Sequence, residues 1–466
     1  MVKIAEAYSM LNDKKNSLIW LEKALAARWD DKPKLAGRSL FQQGKSEHFT
    51  NIENSNEFRK LAGDFVPPNL TREQSWLFDL HYLVSEVKRL HVDPFHTISQ
   101  SSFEAQVKLI ETKIAALNDH QIIFEFMKLL GSLGNGHNFI IPAWGKHGNF
   151  KQLPFQFYQF TDGLFIVNAL DGYEKYLGYK VELFGDISSG EALNRVSKVN
   201  ARDNNMQQLW LGPYYLSLPS VLAGLGIIGD ELQFELTLSD KAGGIVVLTP
   251  TVSDMVFSGF PKLHSNNSDN VPVYLQKNND NYWSTLLSDK KLLYVQFNDV
   301  KDKSSLSLQD FNLELVKQIT RDEIKHFVLD LRHNSGGYGS ITPPMVATAI
   351  FFDAYKPDGK LFVLVGRNTF SAGHDLLMKI SRFTDAIIVG EPSGTRPNAL
   401  GEAGWFNLPY SNQTGILSSQ FRQEGGAEDH RIWVAPDVPV SLSSLQYLKG
   451  QDPSLEAVYR IIDSDL

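Results

Sequence analysis

From Leu292 onward, short, mainly apolar runs alternate with amphipathic stretches, and this alternation constrains the fold more than any other feature of the chain. Leu292 to Phe297, Phe327 to Leu331, Leu361 to Val365 and Ala386 to Val389 read as strands. Leu308, Phe311, Leu315 and Ile319 mark the apolar stripe of one helix, and Leu376, Leu377 and Ile380 that of another. Strands without polar alternation are buried on both faces, so these repeats predict an α/β fold: a parallel sheet covered by helices. Sites in such folds lie beyond the carboxyl ends of the strands. Asp452-Pro453 supplies the cap and first turn of a last helix through Ile462.

The preceding residues show other periods. Ala7, Tyr8 and Leu11 share one helical face, Asn12-Asp13 breaks it, and Leu18, Leu21, Ala24 and Leu25 share the next. This is either one tetratricopeptide-like repeat, the remnant of a longer array, or a plain helical hairpin capping the next domain. Helical spacing returns in Trp76, Leu80, Leu83, Val84 and Val87, in Phe103, Val107, Ile110, Ile114 and Leu117, and in Ile122, Phe126 and Leu129. Between Leu153 and Pro250 the period becomes two, as in Phe155, Phe157 and then Leu232, Phe234, Leu236, Leu238. The expected organisation is a helical segment and linker over 1–70, a helical bundle over 71–145, a small β-rich domain over 150–280 and an α/β domain over 281–466.

Composition removes several functional classes. The apolar share of 42% and charged share of 21% are those of a globular chain. The net charge of −8 comes without a basic run, which argues against nucleic acid as a partner. Zero cysteines exclude disulfides, thiolate nucleophiles and Cys-ligated metals, and fit an oxidising compartment. No stretch reaches the roughly 18 apolar residues of a spanning helix, and the first residues lack the charged start and apolar run of a secretory signal. No His/Asp/Glu set has ligand spacing such as His-x-x-x-His, so no metal or other cofactor is expected.

Two loops leave strand ends with small residues that let backbone approach a ligand. Asp330-Leu331-Arg332-His333-Asn334-Ser335-Gly336-Gly337 ends in paired glycines, which permit positive φ and expose N–H groups suited to an oxyanion, as they would also suit an ordinary turn. Gly366-Arg367-Asn368-Thr369-Phe370-Ser371-Ala372-Gly373 joins a strand to a helix. Ser371 there is either a nucleophile at a helix N-terminus or an N-cap.

Taken in order, Asp330-Leu331-Arg332, Asn334, Gly336-Gly337, Thr369-Phe370-Ser371-Ala372 and Val389-Gly390-Glu391-Pro392-Ser393-Gly394 resemble the core of the tail-specific, C-terminal-processing peptidases, family S41. The resemblance runs from about Leu292 to Val440, more loosely from Trp76 to Pro142, and leaves residues 1–70 outside. It implies a catalytic domain of the ClpP/crotonase-like type, a PDZ-like module in the β-rich segment, and a serine peptidase acting on polypeptides. Ser371 maps to the nucleophile, and Ala372 with Gly337, or in its place Gly336, to the oxyanion hole.

The base distinguishes two branches of the family. One uses a lysine in the stretch that here reads Ser393-Gly394-Thr395-Arg396-Pro397-Asn398, and Arg396 cannot take a proton. The other, similar to the tricorn core protease, brings a histidine from the helical region. Leu133-Gly134-Asn135-Gly136-His137 looks like its Asp-Gly-His element with Asn for Asp, making His137 the expected base. His374, one turn past Ser371, is the competitor. That branch also carries a serine where Gly136 stands and an orienting glutamate shortly before Pro436-Asp437; Glu428 is taken for it, with Asp429 the other candidate. A non-catalytic ligand- or peptide-binding protein on the same scaffold, as in the retinoid-binding relatives, and an esterase are the alternatives. The N-terminal helical pair offers a surface for a protein partner, and the resemblance with the lack of cysteine leans towards the bacterial periplasm or another extracytoplasmic location.

Overall fold

The computed structural model describes residues 1–37, 47–141, 150–257, 261–265 and 271–464. Pro142, residue 145 and the last two residues, where expected boundaries fall, lie outside the described residues. The chain divides into two compact units: one of Met1–Lys151, Ser197–Arg202 and Leu400–Arg422, the other of Gln152–Val196, Asp203–Ala399 and Gln423–Leu466.

The first unit is mostly helical. Helices Val2–Met10 and Lys14–Ala26 are separated where Asn12 takes φ 59° and the Asp13 side chain accepts from Asn16 N at 3.1 Å. Ala5 and Leu21 pack in one cluster with Leu35, Phe49, Ile52, Phe58 and Ala62, so these residues of the pair are covered within the unit. Next come helices Arg72–Leu90, Gln100–Lys113 and Asp119–Gly131, capped by Thr71, Ser99 and Asn118. Thr71 and Asn118 form capping boxes with Gln74 and Gln121. Trp76, Leu80, Leu83, Phe103, Ile122 and Phe126, all read as inward-facing, are buried. The strands Phe139–Ile141, Thr414–Gln423 and Asn398–Asn407 form a sheet in that order, the first pair antiparallel with Phe139 opposite Ile416.

The second unit holds two larger sheets. One orders Tyr282–Leu287, Leu292–Phe297, His326–Asp330, Leu361–Val365, Ile387–Gly390 and Val438–Pro439; its first pair is antiparallel and the rest parallel. Alternate residues serve opposite faces. Leu293, Val295, Phe327, Leu329 and Val363 pack with Leu315 and Leu376 of the helices Leu308–Ile319 and Ser371–Phe383, and with Phe352 of the helix Pro343–Tyr355. Tyr294, Val328, Phe362, Leu364 and Val389 pack with Leu455, Val458 and Ile462 of the helix Pro453–Ser464. Burying each such side chain contributes about 1.5–3 kcal/mol, which is why these strands are mainly apolar on both faces.

The other sheet is antiparallel: Phe155–Phe160, Gly163–Ala169, Lys180–Phe184, Leu236–Ser239 and Ile245–Leu248. The expected strand through Leu232 and Phe234 starts later, at Leu236; Asp230 Oδ1 accepts from Leu232 N and Gln233 N and turns the chain there, leaving Leu232 exposed. Three helices, Ser189–Arg195, Asn205–Tyr215 and Pro219–Gly224, also interrupt this strand-dominated segment.

Candidate active site

The Asp330–Gly337 loop is held from both ends. Asp330, fully buried, accepts from Tyr294 Oη at 2.6 Å and pairs with Arg332, whose guanidinium also reaches Asp452 at 2.7 Å. Burial pushes the Asp330 carboxyl up, but Arg332 outweighs it and holds the group below the ordinary carboxylate range. Asp452 in turn accepts from Leu455 N and starts the last helix. The Asp-Leu-Arg element is thus a bolt between strand end and helix. Asn334 continues it: its side chain donates to Phe297 O at 2.9 Å and accepts from Gly336 N at 3.0 Å, and its carbonyl accepts from Phe370 N at 3.0 Å.

The paired glycines are required by geometry. Gly336 and Gly337 have φ of 107° and 133°, and a Cβ on Gly336 would stand 2.7 Å from Ser371 Cβ and 3.0 Å from Ala372 N. A Cβ on Gly373 would meet Asn334 Oδ1 at 2.5 Å. The two small-residue loops are therefore packed backbone to backbone, with Gly336, Ser371 and Ala372 side by side. The Gly336 N–H is taken by Asn334, so of the two glycine amides considered for an oxyanion hole it is the one already engaged.

Ser371 does not sit where an N-cap serine would. Phe370 is the cap residue, and Ser371 is the first residue of the helix Ser371–Phe383 with φ 49°. A left-handed backbone on a non-glycine residue costs about 1–3 kcal/mol and persists only where its surroundings impose it. Those surroundings are visible: Thr369 Oγ1 donates to Leu331 O at 2.9 Å and accepts from Gly366 N at 3.1 Å, while Thr369 O accepts from Gly394 N at 3.0 Å. Arg367 forms a two-pronged pair with Glu391, at 2.9 and 2.6 Å. The turn is clamped on both sides of Ser371.

Among the other residues weighed for the site, Arg396 is tied down, its Nε donating to Asp203 O at 2.9 Å. His374 is buried on the helix begun by Ser371. Glu428 is 97% exposed at the side chain and 3.8 Å from His430, whereas Asp429 is fixed, pairing with Arg431 at 2.7 Å.

His137 belongs to the helical unit. It is buried, and the site of a Cβ on Gly401 lies 3.5 Å from its Cε1 and 3.3 Å from Arg422 Cδ, so ring and arginine flank the same glycine. Burial first, and the positive charge of Arg422 second, lower its pKa to about 3. At neutral pH the ring is uncharged and able to accept a proton. Arg422 pairs with Glu402 at 2.6 Å, and Glu402 is itself at φ 57°. Neither Arg422 nor Glu402 was marked by any sequence pattern; a strained, non-glycine backbone angle is visible only in three dimensions. Since a neighbouring cation disfavours imidazolium, Arg422→Met is expected to move the His137 pKa upward, read by NMR titration of that ring; a downward or absent shift would show that the charge does not act on it.

No protein-family model and no curated protein sequence matches the chain. Among solved structures, mature CPAF complexed with lactacystin matches with a TM-score of 0.59 at 11% identity, over 84% of this chain and 98% of that one. Mature CPAF alone matches with a TM-score of 0.59 at 12% identity, over the same 84% and 98%. The photosystem II D1 C-terminal processing protease aligns at 16% identity over 83% of this chain and 99% of that one, with a TM-score of 0.38. At such identities the likeness is one of architecture, and the chain has the mixed α/β fold of mature CPAF.

Proposed function

We propose that the chain is a serine peptidase of the S41 type that cleaves extended polypeptides through an acyl-enzyme on Ser371. The observation that carries this is the Ser371 backbone: a serine forced to φ 49° at a strand-to-helix turn, against a glycine pair that no other residue could replace. Strain of this kind in a clamped turn has a use if the hydroxyl must be presented to a substrate. Ala372 N and Gly337 N would hold the tetrahedral oxygen, a choice supported by the prior use of Gly336 N. His137, neutral at pH 7, would take the Ser371 proton and return it to the leaving amine, after which water clears the ester. On this reading the helix-covered parallel sheet is the ClpP/crotonase-like catalytic core and the antiparallel sheet the PDZ-like module.

A second reading, a non-catalytic binding protein on this scaffold, is favoured by one feature. A base held at about 3 beside an arginine is a weak proton acceptor. A fluorophosphonate probe separates the two. The peptidase should be labelled at Ser371 at pH 7–8 and should digest casein; a folded sample that stays unlabelled is the binder, and one that is labelled but turns over only p-nitrophenyl esters is an esterase.

A further inference from the structure

Behind the loop that carries His137 lies a buried polar cluster that the proposed chemistry does not use. His91, at the end of the helix Arg72–Leu90, is fully buried, as are Asn138 and Ser418, and Asn135 is nearly so. The Asp93 backbone N–H donates to His91 Nδ1 at 3.1 Å. That lone pair being occupied, the ring proton is on Nε2, where it donates to Asn135 Oδ1 at 3.1 Å. Asn138 Nδ2 also lies 3.1 Å from His91 Nε2, but both atoms are donors, so this is a contact and not a hydrogen bond. The orientation of Asn138 is fixed independently, since its Oδ1 accepts from Ser418 N at 3.0 Å and its Nδ2 donates to Asn135 Oδ1.

Asn135 is the hub. Its Oδ1 accepts from His91 and Asn138, and its Nδ2 donates to Leu400 O at 2.8 Å and to Ser418 Oγ. Leu400 immediately precedes Gly401, on which the His137 ring lies. One carboxamide therefore ties the His137 loop to the strand that forms the floor beneath its ring. An aspartate at 135 would aim a carboxylate oxygen at Leu400 O, which explains why the amide is needed here. Burial lowers the His91 pKa to about 4, so the ring stays in the one protonation state that serves both Asp93 and Asn135.

We propose that His91 is a positioning residue for His137, acting through Asn135 to fix the loop and the strand on either side of the imidazole. The proposal rests on the reading of His137 as the base, and its test separates the two. In ¹⁵N-histidine-labelled protein, wild type and Ser371→Ala, the His137 ring signals are compared with those after His91→Phe, His91→Gln and Asn135→Asp. His91→Phe is expected to shift or broaden the His137 signals and to slow fluorophosphonate acylation about 10- to 100-fold, the scale of a misplaced catalytic group. Glutamine can accept from Asp93 N and donate to Asn135, so His91→Gln should restore most of the rate. Asn135→Asp should resemble His91→Phe and serves in its place should that variant not fold. A folded His91→Phe protein with unchanged His137 signals and unchanged acylation overturns the proposal, as does a failure of His91→Gln to rescue. If wild type is never acylated, the peptidase reading falls, while the ring signals still decide whether His91 positions His137.

Discussion

Ser371→Gly is expected to abolish acylation and, at the same time, to stabilise the fold. The hydroxyl is the nucleophile of the proposed site, so hydrolysis should fall by about 10⁶-fold, the loss seen when the nucleophile of a serine hydrolase is removed. Stability moves the other way because of the backbone. At φ 49° a serine carries strain that glycine does not. Glycine's greater freedom in the unfolded chain offsets part of that relief, which leaves a net gain of up to about 1 kcal/mol. Ser371→Ala keeps the Cβ and hence the strain, so it should lose the same activity without the gain. The pair of variants is therefore diagnostic: denaturant melts should rank glycine above wild type and alanine, with both variants silent towards a fluorophosphonate. Residual casein digestion by Ser371→Ala would end the nucleophile assignment. A glycine variant less stable than the alanine one would mean that the turn is not strained at all. A site that becomes more stable when its working atom is removed is one that selection for stability alone would not retain.

What could be read from the sequence was local, and what could not was held by distant partners. The strands from Leu292 to Val365 were legible because strands covered on both faces are mainly apolar, their alternate residues serving two separate cores, while the polar members Gln296 and Asp330 are buried with hydrogen-bond partners. The three helices after residue 71 were legible from their apolar spacing; their starts at Thr71, Ser99 and Asn118, set by capping within four residues, were not singled out by it. The last helix begins at Pro453, as its Asp-Pro pair indicates. By contrast, Leu232 and Phe234 matched strand spacing but precede the strand, because Asp230 folds the backbone with two local hydrogen bonds. The helix Asn205–Tyr215 contains Pro213, a residue that signals a break, and is started by Asn204, whose Oδ1 accepts from Met206 N and Gln207 N. For the site, the ordered small-residue motifs located the Ser371 turn and the glycine pair. They did not reveal that Asp330, Arg332, Asn334, Thr369 and Glu391 are fasteners and not reactive groups. Nor could spacing find Arg422, Glu402 or His91, each placed near His137 by a different segment of chain.

Buried neutral histidines are expected to give the protein an acid limit, seen as a fall in melting temperature below pH 6.5. His91 is held at about 4, His137 at about 3 and His333 at about 4, in each case chiefly by burial, against an ordinary value of 6.5. His264, partly buried, is lowered as well. A ring whose folded pKa is depressed contributes stability that is fully present above 6.5 and is lost as pH falls towards the folded value, because the unfolded chain takes up the proton first. With three such rings the slope between pH 6 and 4.5 approaches about 4 kcal/mol per pH unit, so about 6 kcal/mol is lost over that window, a large part of a net stability of about 5–15 kcal/mol. The carboxylates act lower down. Asp330, Glu86 and Glu391 are held below their ordinary values by Arg332, by Lys32 with Arg89, and by Arg367, so their contribution is lost only as pH falls below their unfolded values of 3.8 and 4.5. A fall in melting temperature that begins near pH 6.5 is therefore a histidine signature. Calorimetry from pH 8 to 5 should show it, and His333→Gln, which can keep the N–H donated to Tyr274 O, should reduce the slope by about a third. A melting temperature that stays level down to pH 5 would mean that these rings are solvated and their pKa values not depressed, and the weakness of His137 as a base, which rests on that depression, would fall with them.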